Sequence, residues 1–257
     1  MDDERLAGVE RLYGPGTLAR LAALRVAVVG LGGVGGWAAE ALARSGVGAL
    51  TLIDGDEVCL SNTNRQLQAL AGGYGRAKTA VLGERLRAIR PELILTERFA
   101  FLGEANLEAL LEPAPDLVLD ACDQLPAKLA LALHCRRRRI ALVTAGAAGG
   151  RRDPTRIAVA DLAATEQDPL LAELRRRLRR ALGWPPGSRR RFGMRAVFSR
   201  EPPAPRTACT PGTAPGRLDC RGALGSAMHV TAAFGLVAAG EALRLLLRSP
   251  GEAGGAS

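Results

Sequence analysis

Apolar and polar positions follow two regimes along this chain. Short, largely apolar runs, such as 26–29, 50–53, 117–119 and 140–143, alternate with longer stretches in which apolar residues return every three or four positions. The short runs predict strands buried on both faces, and the periodic stretches predict helices covering them. Strands are expected near 25–30, 49–54, 93–98, 117–121 and 140–145, and helices near 34–45, 78–90, 104–111 and 126–138. One or two short helices over 4–24 precede the first strand. This alternation predicts an α/β fold, a Rossmann-like and mostly parallel sheet with helices on both faces.

After Gly150 the rhythm changes. A short strand at 157–160, a basic helix near 168–182, a mobile turn at 184–189 and a Pro/Thr/Gly-rich loop at 202–215 are expected in turn. A final apolar helix covers 222–248, and a disordered tail fills 249–257. The chain therefore divides into N-terminal helices (1–24), a nucleotide-binding core (25–150), a C-terminal extension packed on the same fold (151–248) and the tail. The last helix lacks formal charge over 223–240 but is rich in Ala and Gly and carries Ser226, His229 and Thr231. A spanning helix wants about 20 strongly apolar residues, so no integral span is expected, although peripheral contact with a membrane stays open.

The junction of the first two strands carries the chemistry. Gly30-Leu31-Gly32-Gly33-Val34-Gly35 follows the first strand, and Asp54 ends the second. Glycines there let the backbone approach a phosphate, the next helix aims its N–H groups at the charge, and the aspartate meets a ribose. A tight turn without ligand would use the same glycines. The residues that follow, Asp56, then Ser61-Asn62-Thr63-Asn64-Arg65-Gln66, then Lys78, are more than a nicotinamide dehydrogenase needs. A triphosphate does need cations, and its magnesium an oxygen ligand, so ATP is the expected nucleotide.

Charge adds a second partner. The net charge is +9, and arginines bunch at 136–139, 151–152, 175–177, 179–180 and 189–191. Such runs suit a polyanion, nucleic acid above all, with contacts to phosphate and shape; a solvated face is the alternative for any single run. Only Lys78 and Lys128 are lysines among 35 cationic residues, which marks both. Five cysteines without regular spacing fit a reducing compartment, and the acidic N-terminus is unlike a signal peptide, so the cytoplasm is expected. His134 and His229 have no ligand-spaced partner and read as packing residues.

Five motifs in order, the glycine turn, Asp54-Gly55-Asp56-Glu57-Val58, Ser61 to Gln66, Lys78 and Asp120-Ala121-Cys122-Asp123, resemble the ubiquitin-activating-type adenylating superfamily. The stretches Val9 to Gly14, Thr144 to Gly150, Asp153-Pro154-Thr155, Gln167 to Leu170, Val197-Phe198-Ser199 and Leu218-Asp219-Cys220 are most similar to its tRNA threonylcarbamoyladenosine dehydratase branch. The resemblance implies ATP-dependent dehydration of threonylcarbamoyladenosine beside the anticodon, by adenylation of its carboxylate and closure to an oxazolone. It implies that Gly30, Gly32, Gly33 and Gly35 meet the phosphates, Asp54 holds the ribose, Asn62 orients the phosphates, and Arg65 and Lys78 grip them. Asp123 would ligate magnesium, with Asp56 a weaker candidate, and Arg11 would reach into the partner's site of a homodimer. Charge logic supports the cations and carboxylates independently, while Arg65 as a loop ion pair and Asn62 or Asp123 as helix caps stay open. Under the same reading the 25–150 core adenylates, and the extension meets tRNA through Arg175, Arg176, Arg179, Arg189 and Arg190. Cys220 matches a cysteine able to relay sulfur with a cysteine-desulfurase partner, or it is a small buried residue; a monovalent cation also stays open.

Three rivals are kept. One activates the C-terminal Gly-Gly of a ubiquitin-like sulfur carrier, but relatives of that kind hold zinc with paired Cys-x-x-Cys motifs, and this chain has none. The others are a nicotinamide oxidoreductase and a non-catalytic RNA-binding or sulfur-relay protein.

Overall fold

The apolar runs become the strands of one sheet. The computed structural model describes residues 4–204 and 224–248. Two short helices, α1 (Ala7–Tyr13) and α2 (Thr17–Ala22), lead into β1 (Arg25–Val29), α3 (Gly35–Arg44), β2 (Ala49–Ile53), α4 (Lys78–Ile89) and β3 (Ile94–Arg98). The chain continues through α5 (Leu107–Leu110), β4 (Leu117–Asp120), α6 (Leu125–Arg138) and β5 (Ala141–Ala145). It ends with β6 (Ile157–Asp161), α7 (Pro169–Ala181), β7 (Arg195–Ser199) and α8 (Met228–Leu246).

The seven strands lie in the order β3-β2-β1-β4-β5-β7-β6, all parallel except β6, which runs antiparallel to β7. One apolar core fills the face under α3, α4 and α8, with Leu42, Leu82, Leu86 and Phe234 buried in it. The other, with Leu107, Leu131, Leu171 and Phe192, fills the face under α5, α6 and α7.

Several elements differ from the pattern reading. The segment expected as one helix over 104–111 shrinks to a single turn, because the Asn106 side chain bonds back to Phe101 O and Gly103 N. β7 carries no alternation to mark it; it is buried on both faces, between β5 and β6. The last helix starts at Met228 rather than near 222, since Ala227 is extended and the carbonyls of Gly225 and Ser226 bond Gly150 and Asn64. α8 is long and apolar enough to cross a membrane, but 56% of its apolar window is buried against the rest of the fold. The turn at 184–189 is anchored rather than free, with Trp184 stacked on Phe192 at 5.1 Å between ring centroids. Much of the 202–215 loop, Cys209, Cys220 and the tail lie outside the described residues.

Candidate functional site

Register brings the motifs together. Val29 at the end of β1 pairs with Ile53 on one side and Asp120 on the other. Gly30, Asp54 and Ala121 therefore leave the sheet side by side, tied by Gly30 N–H to Ile53 O (2.9 Å) and Ala121 N–H to Val29 O (2.8 Å). The chain winds outward in opposite directions from β1 and β4, so a crevice opens between their carboxyl ends, where ligands of such sheets bind.

The glycine turn is packed too closely for side chains. Gly30 has φ +85°, and a Cβ there would lie 2.7 Å from Cys122 N. A Cβ on Gly35 would lie 1.8 Å from Gly30 O. Gly32 differs: the nearest atom to a Cβ there is Gln66 Nε2, at 3.9 Å, so space remains above the turn. Val34 caps α3 without a side-chain bond; Gly36 N–H meets Gly32 O at 3.2 Å, and the other N–H groups of the first turn of that ten-residue helix suit a ligand.

Beside the turn stands a carboxylate–lysine cluster. Asp54 accepts from Leu31 N–H (2.6 Å) and Asp56 N–H (2.8 Å), which locks the turn to the end of β2. Burial raises its carboxyl above the usual range, while nearby Lys78 opposes that rise. Lys78 opens α4, and its Nζ lies 2.7 Å from Asp56 Oδ2 and 4.0 Å from Asp54 Oδ1. Its backbone N–H also bonds Asp56 O, so loop and helix start move as one piece. Arg65 lies over the turn, with its Cγ 3.3 Å from where a Gly33 Cβ would be, and its Nη1 reaches Ser61 O and Asn64 Oδ1. Both of these partners are neutral oxygens, and among the described residues no carboxylate pairs with Arg65, in contrast to a loop ion pair. Asn62 is buried and accepts from Cys59 N–H (2.9 Å), a brace of the 3-10 turn Leu60–Asn62.

On the other side of the crevice, Asp120 ends β4 fully buried. Its Oδ2 meets Lys128 Nζ at 2.9 Å and Thr144 Oγ1 at 2.7 Å, and its Oδ1 meets Cys122 Sγ at 2.9 Å. Lys128 Nζ also donates to Ala145 O at 2.7 Å, so one ammonium ties β4, β5 and α6 together. Burial and the Asp120 carboxylate hold the Cys122 thiol well above its ordinary range, which leaves it a poor nucleophile. Asp123 follows, exposed, and does not cap α6: Gln124 is the N-cap, without a side-chain bond. No three His, Cys, Asp or Glu side chains converge among the described residues. Magnesium on a triphosphate needs only one or two carboxylates; Asp123 is exposed at this edge, whereas Asp56 is paired with Lys78.

The sequence pattern of the ThiF family matches residues 4–255. The chain belongs to the ThiF family. The tRNA threonylcarbamoyladenosine dehydratase of Escherichia coli K12 is 45% identical over 251 residues, 95% of this chain and 94% of that one. The Haemophilus influenzae protein of the same name is 41% identical over 96% and 94%. The crystal structure of the E. coli tRNA N6-threonylcarbamoyladenosine dehydratase in complex with ATP superposes with TM-score 0.84, 45% identity, and 95% and 94% coverage.

The remaining candidates of this ThiF-family chain lie elsewhere. Arg11 is exposed in the last turn of α1, which packs on α2 and not on the crevice. Arg175 donates to Thr165 Oγ1, and Arg176 pairs with Glu173, so both are engaged within the fold. Arg179 donates to Ser188 O at 3.1 Å, while Arg189 and Arg190 are exposed on the following turn. His134 is buried as expected, with Nδ1 3.9 Å from Glu108, but His229 is exposed and its Nε2 meets Arg152 O at 3.0 Å.

Three supports escaped the sequence reading. Gln68, 1% exposed, donates to Leu31 O at 2.6 Å and props the glycine turn from beneath. Trp37 Nε1 donates to Arg65 O. From α8, Thr231 lies 3.1 Å from where a Gly33 Cβ would be, and Gly235 lets α8 cross α3 with only 2.4 Å between its own would-be Cβ and Val34 O. Gln68 stands between the apolar Leu67 and Ala69-Leu70-Ala71, a faint signal of an inward-facing amide.

Proposed function

We propose that this chain carries out ATP-dependent dehydration of threonylcarbamoyladenosine in tRNA beside the anticodon. One observation carries the reading: the glycine turn, Asp54, Arg65, Lys78 and the Asp123 loop share one sheet edge in a chain 45% identical, over 95% of its length, to a protein of that name. The glycine turn and the start of α3 hold the phosphates through backbone N–H groups, and Asp54 takes the ribose hydroxyls. Arg65 and Lys78 stabilise charge that grows on the α-phosphate and the departing pyrophosphate as the substrate carboxylate attacks. Lys78 exchanges its bond to Asp56 for the phosphates. Magnesium, held by Asp123, offsets further phosphate charge when bound.

The ureido oxygen of the same side chain then attacks the activated carbonyl carbon, AMP leaves, and the ureido nitrogen gives up its proton. The ring closes within one molecule, so no protein nucleophile is required and orientation carries much of the rate. Arg11 completes the partner's site in a homodimer, the second half meets tRNA, and the protein works in the cytoplasm. A role for Cys220 in sulfur relay and use of a monovalent cation are the remaining parts of this reading.

The test incubates the protein with ATP, magnesium and tRNA that holds the uncyclised nucleoside, then weighs the digested nucleosides. Loss of about 18 mass units only with ATP is expected, with Lys78→Ala and Asp123→Ala each at least about 100-fold slower and still folded. No mass change in tRNA, with AMP exchange onto a Gly-Gly-ended carrier protein instead, overturns it.

A further inference from the structure

A cavity of about 650 Å³ opens far from the glycine turn. Arg179, Arg189, Arg191 and Arg195 line it, with Asp161 as its one carboxylate. The Asp161 carboxylate already accepts from the N–H groups of Ala163, Phe192 and Gly193, so it serves the local backbone. Arg195 is held through Nε by Glu241 at 2.5 Å, and Arg179 through Nε by Ser188 O. Each of those bonds uses one of the five N–H donors that a guanidinium carries.

The turn that bears Arg189 is built, not loose. Trp184 stacks on Phe192, Arg136 lies 5.4 Å and Arg190 5.9 Å from the Trp184 ring centroid, and Arg179 lies 5.7 Å from that of Phe192. Arg136 also donates to Phe192 O, which pins the turn to the end of α6. Several arginines lining one concavity suit phosphate oxygens.

Position decides what kind of phosphate. Asp161 pairs with Arg195 where β6 ends and β7 begins, towards the amino edge of the parallel strands. The glycine turn is at the carboxyl edge, three strands away across β5 and β4. The register sets Arg195 level with Val143, Leu119 and Val28, so three interstrand spacings and two residues along the strand put Arg195 on the order of 15 Å from Gly30, with the turn that bears Arg189 further towards the amino side. Asp54 ends β2, on the side of β1 away from the cavity, so the crevice residues at that strand end lie one strand further off.

We infer that this cavity binds backbone phosphates of an RNA substrate several nucleotides away from the reacting nucleoside. The inference rests on the tRNA reading above and narrows it: Arg189, with Arg179 and Arg191 beside it, forms the contact, and Arg175 and Arg176 do not. Contacts of this kind carry no base information; they set register and orientation.

Binding alone tests it, without turnover. Fluorescence anisotropy of a full-length tRNA transcript and of a short anticodon-hairpin transcript is followed from low to moderate salt with wild type, Arg189→Glu and Arg189→Lys. Arg189→Glu is expected to weaken full-length tRNA by about tenfold and to lower its salt slope by roughly one, with Arg189→Lys close to wild type. Hairpin affinity is expected to stay within about twofold. An unchanged slope for full-length tRNA, or equal losses for both RNAs, overturns the inference while leaving the dehydration reading intact. No RNA binding by wild type overturns both. A thermal melt of Arg189→Glu superposing on wild type shows that the fold is kept.

Discussion

Single positions at the crevice separate folding from binding. Gly35 has no room for a side chain, because a Cβ would press on Gly30 O at 1.8 Å. Gly35→Ala is expected to cost about 1–3 kcal/mol of stability through forced backbone shifts, and to lose nucleotide binding with it. Gly32 faces open space, so Gly32→Ala is expected to keep its melting temperature within about 1 °C and, on the proposed reading, to weaken ATP binding by setting its methyl against the phosphates. Calorimetric titration with ATP beside a thermal melt reads both. Equal melting losses in the two variants would show that the space above Gly32 is not real. The two glycines look alike in the sequence; only the Gly30 carbonyl behind Gly35 tells them apart.

Among elements, the buried Lys128–Asp120 pair is the joint between β4, β5 and α6. Breaking a buried pair leaves a charge without compensation, at a cost of about 3–5 kcal/mol. Lys128→Met is therefore expected to lower the melting temperature by about 10 °C or more. Lys128→Met with Asp120→Leu should recover much of that loss, since an apolar replacement of both partners is often neutral. Activity should stay low in the double variant, because the Asp120 carboxylate also holds Cys122 N–H and so the loop that carries Asp123. Calorimetry and the nucleoside assay are read together. Recovery of both stability and activity would reduce the pair to a fold element with no positioning role.

For the whole molecule, the C-terminal half completes the sheet and roofs the core. β7 sits between β5 and β6, and α8 buries Val230, Phe234 and Ala238 against the face that holds α3. A chain cut after Gly150 would bare both the β5 edge and the surface under α8. Such a fragment is expected to aggregate and to melt without a cooperative transition. Size-exclusion chromatography and circular dichroism check this; a monomeric fragment with a sharp melt would make residues 25–150 a self-sufficient unit.

The sequence by itself determined what depends on neighbours along the chain. Short apolar runs named five of the parallel strands, glycine spacing named the turn, Asp54 and Asp123 stood out just past strand ends, and Arg65 and Lys78 stood out as cations in the stretch that follows Asp54. Only tertiary structure decided what depends on distant partners. β7 became an interior strand because two other strands bond its edges, and the helix expected from 222 lost its first turn to carbonyls claimed by Asn64 and Gly150. Arginine runs that look alike in sequence parted by neighbour as well. Arg176 found Glu173, whereas Arg189 was set beside Arg179, Arg191 and Arg195 around one concavity. Local pattern is fixed by periodicity and backbone sterics, but the pairing of charges and strand edges is settled by which surfaces the packed sheet brings together.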